Sequence, residues 1–183
     1  MSDLKNTQEA LNKFAKYVIK QSRSNLTRQG KNTTSSLYNS LDTDVKVSPN
    51  SFSLAFMMDK YGVFQDKGVN PIGKKVHNTE FQFKHFPSLN GKFAQSMAKW
   101  AKAKNIRLRD EKGKFKKGNY KTIGYILARS VATGTNKNQG IKPSLFFTKP
   151  FNKAFENLPD DLVKAFALDV DNLLDFTTKN ILK

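Results

Sequence analysis

The sequence contains no cysteine. That excludes a disulfide framework, a thiolate nucleophile and any zinc site built on Cys, and it fits a reducing cytosol. Acidic residues are scarce, 15 Asp+Glu against 32 Lys+Arg, for a formal net charge of +17. No apolar run approaches the roughly 20 residues a membrane helix needs. The first residues, MSDLKNTQEALNKF, lack the apolar stretch of a signal peptide. A soluble chain, synthesised in the cytoplasm and with no membrane partner, is the expectation. The only histidines are His77 and His85; no acidic cluster flanks them and their spacing is not a metal signature. No GxSxG elbow occurs, and GTNKNQG lacks the G-K-[ST] ending of a phosphate loop. Asp160, Asp161, Asp169, Asp171 and Asp175 fall on one C-terminal helix, where a solvated face explains them more simply than metal or acid–base work. No catalytic residue, metal site or cofactor is expected, and the chain does not read as an enzyme.

What is present is phenylalanine and positive charge. Fifteen Phe in 183 residues argue for a real core rather than a disordered basic tail. A chain of this length buries roughly two-thirds of its unfolded surface without covalent staples. A single α+β domain over 1–183 is expected, its small antiparallel sheet packed by N-terminal, central and C-terminal helices. The excess of Lys and Arg suits contact with a polyanion, although it also serves solubility.

Hydrophobic spacing places the elements. Leu4, Leu11, Phe14, Ala15, Val18 and Ile19 share one stripe of a helix over 3–29, which Gly30 should stop. TSSLYNSL, 34–41, reads as a short helical turn capped by Ser or Thr, anchoring Leu37 and Leu41. Residues 42–47 and 51–57 alternate on either side of SPNS, so a hairpin is expected with Val45, Val47, Phe52, Leu54 and Phe56 on one face. The Gly- and Pro-containing stretch 61–75 reads as irregular. EFQFKHF, 80–86, alternates again but could equally be loop. Residues 91–105 and 122–134 have helical spacing, and TNKNQG, 135–140, is a turn. In the last helix, from about 160 to 183, Val163, Phe166, Val170, Leu173, Leu174 and Ile181 make the apolar stripe. Between them lies GIKPSLFFTKPFNKAF, whose Phe146, Phe147 and Phe151 are candidate core or interface anchors. Pro143 fixes the start of an extended connector there, and Pro150 should sit near the first position of the next helix, with Thr148 as its cap.

The region 99–121 carries ten Lys/Arg against Asp110 and Glu111. The insertion 106–120 within it should be a protruding basic loop or hairpin. Lys112, Lys114, Lys116 and Lys117 are its charged tip, and Phe115 and Tyr120 are interleaved. Such a run neutralises phosphates, and its aromatics can stack on bases. It could equally meet an acidic protein partner, such as the Asp-rich 160–175 stretch of a neighbouring copy in a heterologous, ring-closing contact.

The order of these parts resembles the tail-completion, or neck, proteins of tailed bacteriophages. In that family an N-terminal helix precedes a T-G-x-L-x-x-S-[IL] turn. A Y-[AG]-x-[YF]-x-E-x-G-T segment follows the hairpin, and P-x-P-F-[LF]-x-P-A introduces the last helix. Thr34–Leu41, Tyr61–Val69 and Pro143–Ala154 stand at these places. Gln65-Asp66-Lys67-Gly68-Val69 departs from the acidic-x-Gly-Thr pattern, and the middle, 75–122, is longer than the family core. The wording of RDEKGKFKKGNY and GIKPSLFFTKPF is similar to phages of Bacteroidetes-type hosts, including crAss-like ones. The resemblance implies a non-enzymatic virion subunit in a cyclic homo-oligomer of six or twelve copies. It would contact portal, adaptor or tail proteins close to packaged DNA. Tyr61 and Phe64 then join Phe146, Phe147 and Phe151 as anchors. The rival expectation is a basic nucleic-acid-binding phage protein, with a DNA affinity that falls steeply with salt. A neck subunit should bind DNA only weakly when free.

Overall fold

Helix α1, Lys5–Arg28, forms where the sequence repeats apolar residues every third or fourth position, and its buried side is Thr7, Leu11, Phe14, Ala15, Val18, Ser22 and Leu26. The computed structural model describes residues 4–48, 51–116, 118–135 and 139–181. They form an α+β arrangement of seven helices and one two-stranded antiparallel sheet packed against the N-terminal and C-terminal helices. The chain divides into two compact units: residues up to Asp59 together with those from Phe146 onward, and the intervening Lys60–Leu145.

In the first unit, α1 ends as expected. Gly30, at φ +64°, lets its own N–H reach Thr27 O and that of Lys31 reach Leu26 O, closing the last turn. Helix α2, Ser36–Ser40, occupies the anticipated short turn, with Leu37 buried. Its cap is not the anticipated one. Ser35 adopts a left-handed conformation and makes no side-chain cap, while the Ser36 hydroxyl donates to Asp59 Oδ2 at 2.8 Å. Strands β1, Asp42–Ser48, and β2, Ser51–Met57, pair from Asp42↔Met57 to Ser48↔Ser51. This register opposes Val45 to Leu54 and Val47 to Phe52, and so sets the predicted residues on one face. Pro49 and Asn50, between the strands, lie outside the described residues.

Two neighbouring clusters make the core of this unit. Leu26, Leu37, Leu41 and Phe146 form one, with Ile19, Tyr38 and Met58 against them. Phe14, Val18 and Leu158 form the other, with Leu54, Phe56, Phe151 and Leu162 packed on them. Phe147 touches both. Phe56 meets Phe14, Phe147 and Phe151 edge-on at centroid distances of 6.0, 5.2 and 5.8 Å, the arrangement that ring quadrupoles favour.

Helix α6, Thr148–Phe155, starts two residues earlier than Pro150 suggested. Phe147 is its N-cap, without a side-chain cap, so Thr148 is the first helical residue and not the cap. Pro150 is third in the helix. It is tolerated there because first-turn N–H groups have no partner within the helix. Helix α7, Leu158–Ile181, carries Asp160 and Asp161 in its first turn, where the helix dipole favours them.

In the second unit, α3 spans Tyr61–Lys67, where an irregular stretch was expected. The glycine content suggested irregular chain, but Gly62 is buried within the helix. Residues 80–86 do not form a strand; their one ladder contact is the bridge of Gln82 with Asn70. Asn70 is the buried organiser of that loop. Its Oδ1 accepts from Val76 N and His77 N, and its Nδ2 donates to His77 O and Thr79 O. The central helix α4, Lys92–Ala103, packs on α5, Tyr120–Thr133. The two approach through small residues: a Cβ at Gly124 would collide with Ala94 O and with Ala98 N and Cβ. Asn119 caps α5 by accepting from Lys121 N at 2.9 Å. Residues 136–138 of the expected 135–140 turn lie outside the described residues.

Candidate functional site

The basic insertion is a tight hairpin. Arg109 bridges Phe115, Lys116 N donates to Leu108 O, and Asp110 N donates to Lys114 O. Asp110 is consumed in the turn: its O accepts from Gly113 N and its Oδ1 from Lys114 N. The guanidinium of Arg109 lies 4.2 Å from the centre of the Phe115 ring and that of Arg107 5.7 Å. Arg109 Nη1 also donates to Gly113 O at 2.8 Å. The ring thus holds two cations in place, and a base stacking on Phe115 would compete with them. Lys112, Lys114 and Lys116 are exposed and enter no ion pair among the described residues. Lys117, the fourth residue of the expected tip, lies outside them.

The anchors separate into different environments. Phe146 is fully buried at 0 % exposure, in the core of the first unit. Phe147 and Phe151 are half-buried there. Tyr61 and Phe64 belong to α3 in the second unit and remain exposed, with Phe64 edge-on to Phe81 at 4.9 Å. The protein therefore gathers the three connector phenylalanines in one unit, while Tyr61, Phe64 and the hairpin lysines lie in the other.

The stripe expected to bury α7 buries it only at Val170, which is half-buried. Leu158, Ala165 and Asp169 are buried and Leu162 is half-buried. Val163 and Phe166, from the anticipated stripe, are 70 % and 48 % exposed, and Leu173 and Leu174 are exposed as well. Ile181 lies outside the residues whose burial is described. The helix thus presents apolar side chains next to its buried edge. Beside it, Leu11, Phe14, Phe52, Leu54, Phe151, Phe155, Leu158, Pro159 and Leu162 line an open groove of about 380 Å³ without a charged side chain.

Asp169 departs from the solvated acidic face expected of it. Its Oδ1 accepts from Asn6 N and Nδ2 at 2.9 and 2.8 Å, and its Oδ2 accepts from Thr7 N and Oγ1, both at 2.8 Å. Leu4, at the N-cap of α1, offers no side-chain cap, so Asp169 satisfies that helix end from α7. Burial pushes its carboxyl pKa up, but the hydrogen bonds from Thr7 and Asn6 outweigh burial and hold it below the ordinary carboxylate value. Its spacing from Leu158, Leu162 and Ala165 puts it on the buried edge, the signal that could have found it. Asp160, Asp161, Asp171 and Asp175 are exposed.

A second groove, of about 720 Å³, runs along the other side of α1, lined by Lys16, Lys20, Arg23, Arg28 and Tyr38 among others. Sequence reading missed it because its cations are dispersed at helical spacing rather than clustered in a run. Among the described residues no group of three or more His, Asp or Glu could hold a metal ion, and no helix is long and apolar enough to cross a membrane. His77 Nε2 lies 2.6 Å from Gln139 O, and His85 is exposed. Comparison with known families, curated proteins and solved structures finds no match to this chain.

Proposed function

We propose that this chain is a structural virion protein of the tail-completion type, a non-enzymatic subunit of a ring in the neck of a tailed phage, joining portal or adaptor to tail. The observation that supports this reading most is the exposed apolar side of α7, with Val163, Phe166, Leu173 and Leu174 facing water. Water-exposed apolar side chains on one helix mark interaction surfaces. Covering each against a neighbour is worth about 1–2 kcal/mol. Many copies in a closed ring multiply that gain, while a net charge of +17 keeps the free subunit soluble. The ordered motifs around Thr34–Leu41, Tyr61–Val69 and Pro143–Ala154 supply the family resemblance. In this account the exposed hairpin lysines face DNA or an acidic neighbour.

Mass spectrometry of purified virions with copy-number quantification tests the proposal. The expected result is the chain at six or twelve copies per particle, and its absence from the particle would overturn the reading. The second reading, a free nucleic-acid-binding phage protein, draws on the hairpin cations. It predicts tight, steeply salt-dependent DNA binding by the isolated chain and no virion copies.

A further inference from the structure

The six cations of α1 are Lys5, Lys13, Lys16, Lys20, Arg23 and Arg28, against the single acid Glu9. At 100° per residue, all but Arg28 fall within one stripe, opposite the buried side that carries Phe14, Val18 and Ser22. Glu9 lies on the same stripe between Lys5 and Lys13, so the uninterrupted basic part begins at Lys13. A basic helix face is often only solvated. Here the wall of a groove stands in front of it, built from Tyr38, Leu41, Asp42 and Thr43. Arg23 is fixed across that groove. Its Nε donates to Tyr38 O at 3.1 Å, its Nη2 donates to Leu41 O at 2.9 Å, and its guanidinium lies 5.1 Å from the centre of the Tyr38 ring. Nη1 has no partner among the described residues, so one edge of a preorganised fork is left for a ligand. The one carboxylate of the lining, Asp42, is engaged by Thr43 N at 2.8 Å, and none of the lining cations forms an ion pair among the described residues.

We propose that this groove binds the phosphodiester backbone of nucleic acid. The groove is lined by four cations, Lys16, Lys20, Arg23 and Arg28. They extend along about 18 Å of helix axis, enough to neutralise about four phosphates of one duplex strand. Ser24 and Thr43 line the same groove, and hydroxyls such as theirs supplement Lys and Arg at phosphates; that of Thr27 already donates to Arg23 O. Contacts of this kind go to the backbone and carry no sequence information, so binding is independent of sequence. The site is separate from the 106–120 hairpin and does not depend on the neck assignment; a nucleic-acid groove on α1 would serve a ring subunit or a free protein alike.

The test uses the full chain and a fluorescein-labelled 20-base-pair duplex, with binding read by anisotropy from 50 to 300 mM NaCl. The parent should bind with a log K against log salt slope of about −3.6, the value for four phosphates. Lys16→Gln/Lys20→Gln should reduce the slope by about 2 and weaken binding at least tenfold at 100 mM salt, with an unchanged melting curve. In a Lys112→Gln/Lys114→Gln/Lys116→Gln background, the same two changes should cost the same factor. Unchanged affinity and slope in the Lys16/Lys20 variant would overturn the proposal, as would no binding by the parent at 50 mM salt. Displacement of the duplex by polyglutamate at equal charge would also overturn it, because it would mark the groove as an acidic-protein surface.

Discussion

Helices α1 and α7 are each 24 residues long and pack against one another in the same unit, yet they spend their apolar residues differently. In α1 the buried stripe continues from Thr7 to Leu26, and the opposite face is basic. In α7 the buried positions stop at Asp169, and every side chain from Asp171 to Lys179 is exposed. The sequences of both carry a clear apolar stripe, so amphipathicity alone does not say what a stripe will face. The difference is in what lies beside each helix. The α1 stripe meets the sheet, α6 and α7, whereas that of α7 is turned toward solvent alongside the apolar groove of Phe52, Phe155 and Leu162. One helix is the spine of its unit; the other is half spine and half exposed apolar surface.

The contrast can be broken most sharply at Phe14, which joins the sheet and α6 through Phe56 and Phe151. Phe14→Ala should lower unfolding free energy by about 4 kcal/mol, measured by chemical denaturation. Asp169 ties the two helices together, and Asp169→Ala should cost about 3 kcal/mol because the buried N–H groups of Asn6 and Thr7 lose a charged acceptor. Its pH signature follows from the direction of its shift. The folded pKa is depressed, so the stabilisation is complete above the unfolded value of about 3.9 and is lost as pH falls through the folded value. Asp169→Asn should remove that share of the acid lability below about pH 4, seen as a flatter dependence of melting temperature on pH. A smaller effect of opposite sign is expected within α1, where Ser22 Oγ is buried and has no hydrogen-bond partner among the described residues. Ser22→Ala should raise stability by about 1 kcal/mol in the same denaturation assay.

Much of this was legible in the sequence, for reasons that are local. The hairpin and the shared face of its apolar residues followed from period-two alternation, because a one-residue slip would turn Leu54 and Phe56 away from that face. The α1 stripe, its Gly30 stop and the burial of Leu37 and Leu41 followed from spacing. Propensity misled at α3, where Gly62 is buried inside a helix and its helix-breaking tendency is overridden. At Pro150 the local rule was sound but the position was not, since any first-turn site lacks an N–H acceptor. The surfaces were harder to read. The hairpin announced itself as a charge run, whereas the α1 groove becomes visible only when Tyr38 and Leu41 fold back to hold Arg23. Asp169 is likewise defined by a partner 162 residues away, Thr7.

The central claim, that the α7 face is kept for neighbouring copies, is tested most directly by sedimentation velocity on the full chain and on Leu173→Ser/Leu174→Ser. Both leucines are exposed, so the variant should keep its unfolding free energy within about 0.5 kcal/mol of the parent. The account predicts a concentration-dependent ring-sized species for the parent and a folded monomer for the variant. A parent that stays monomeric at every concentration, or a variant that assembles as the parent does, would contradict it.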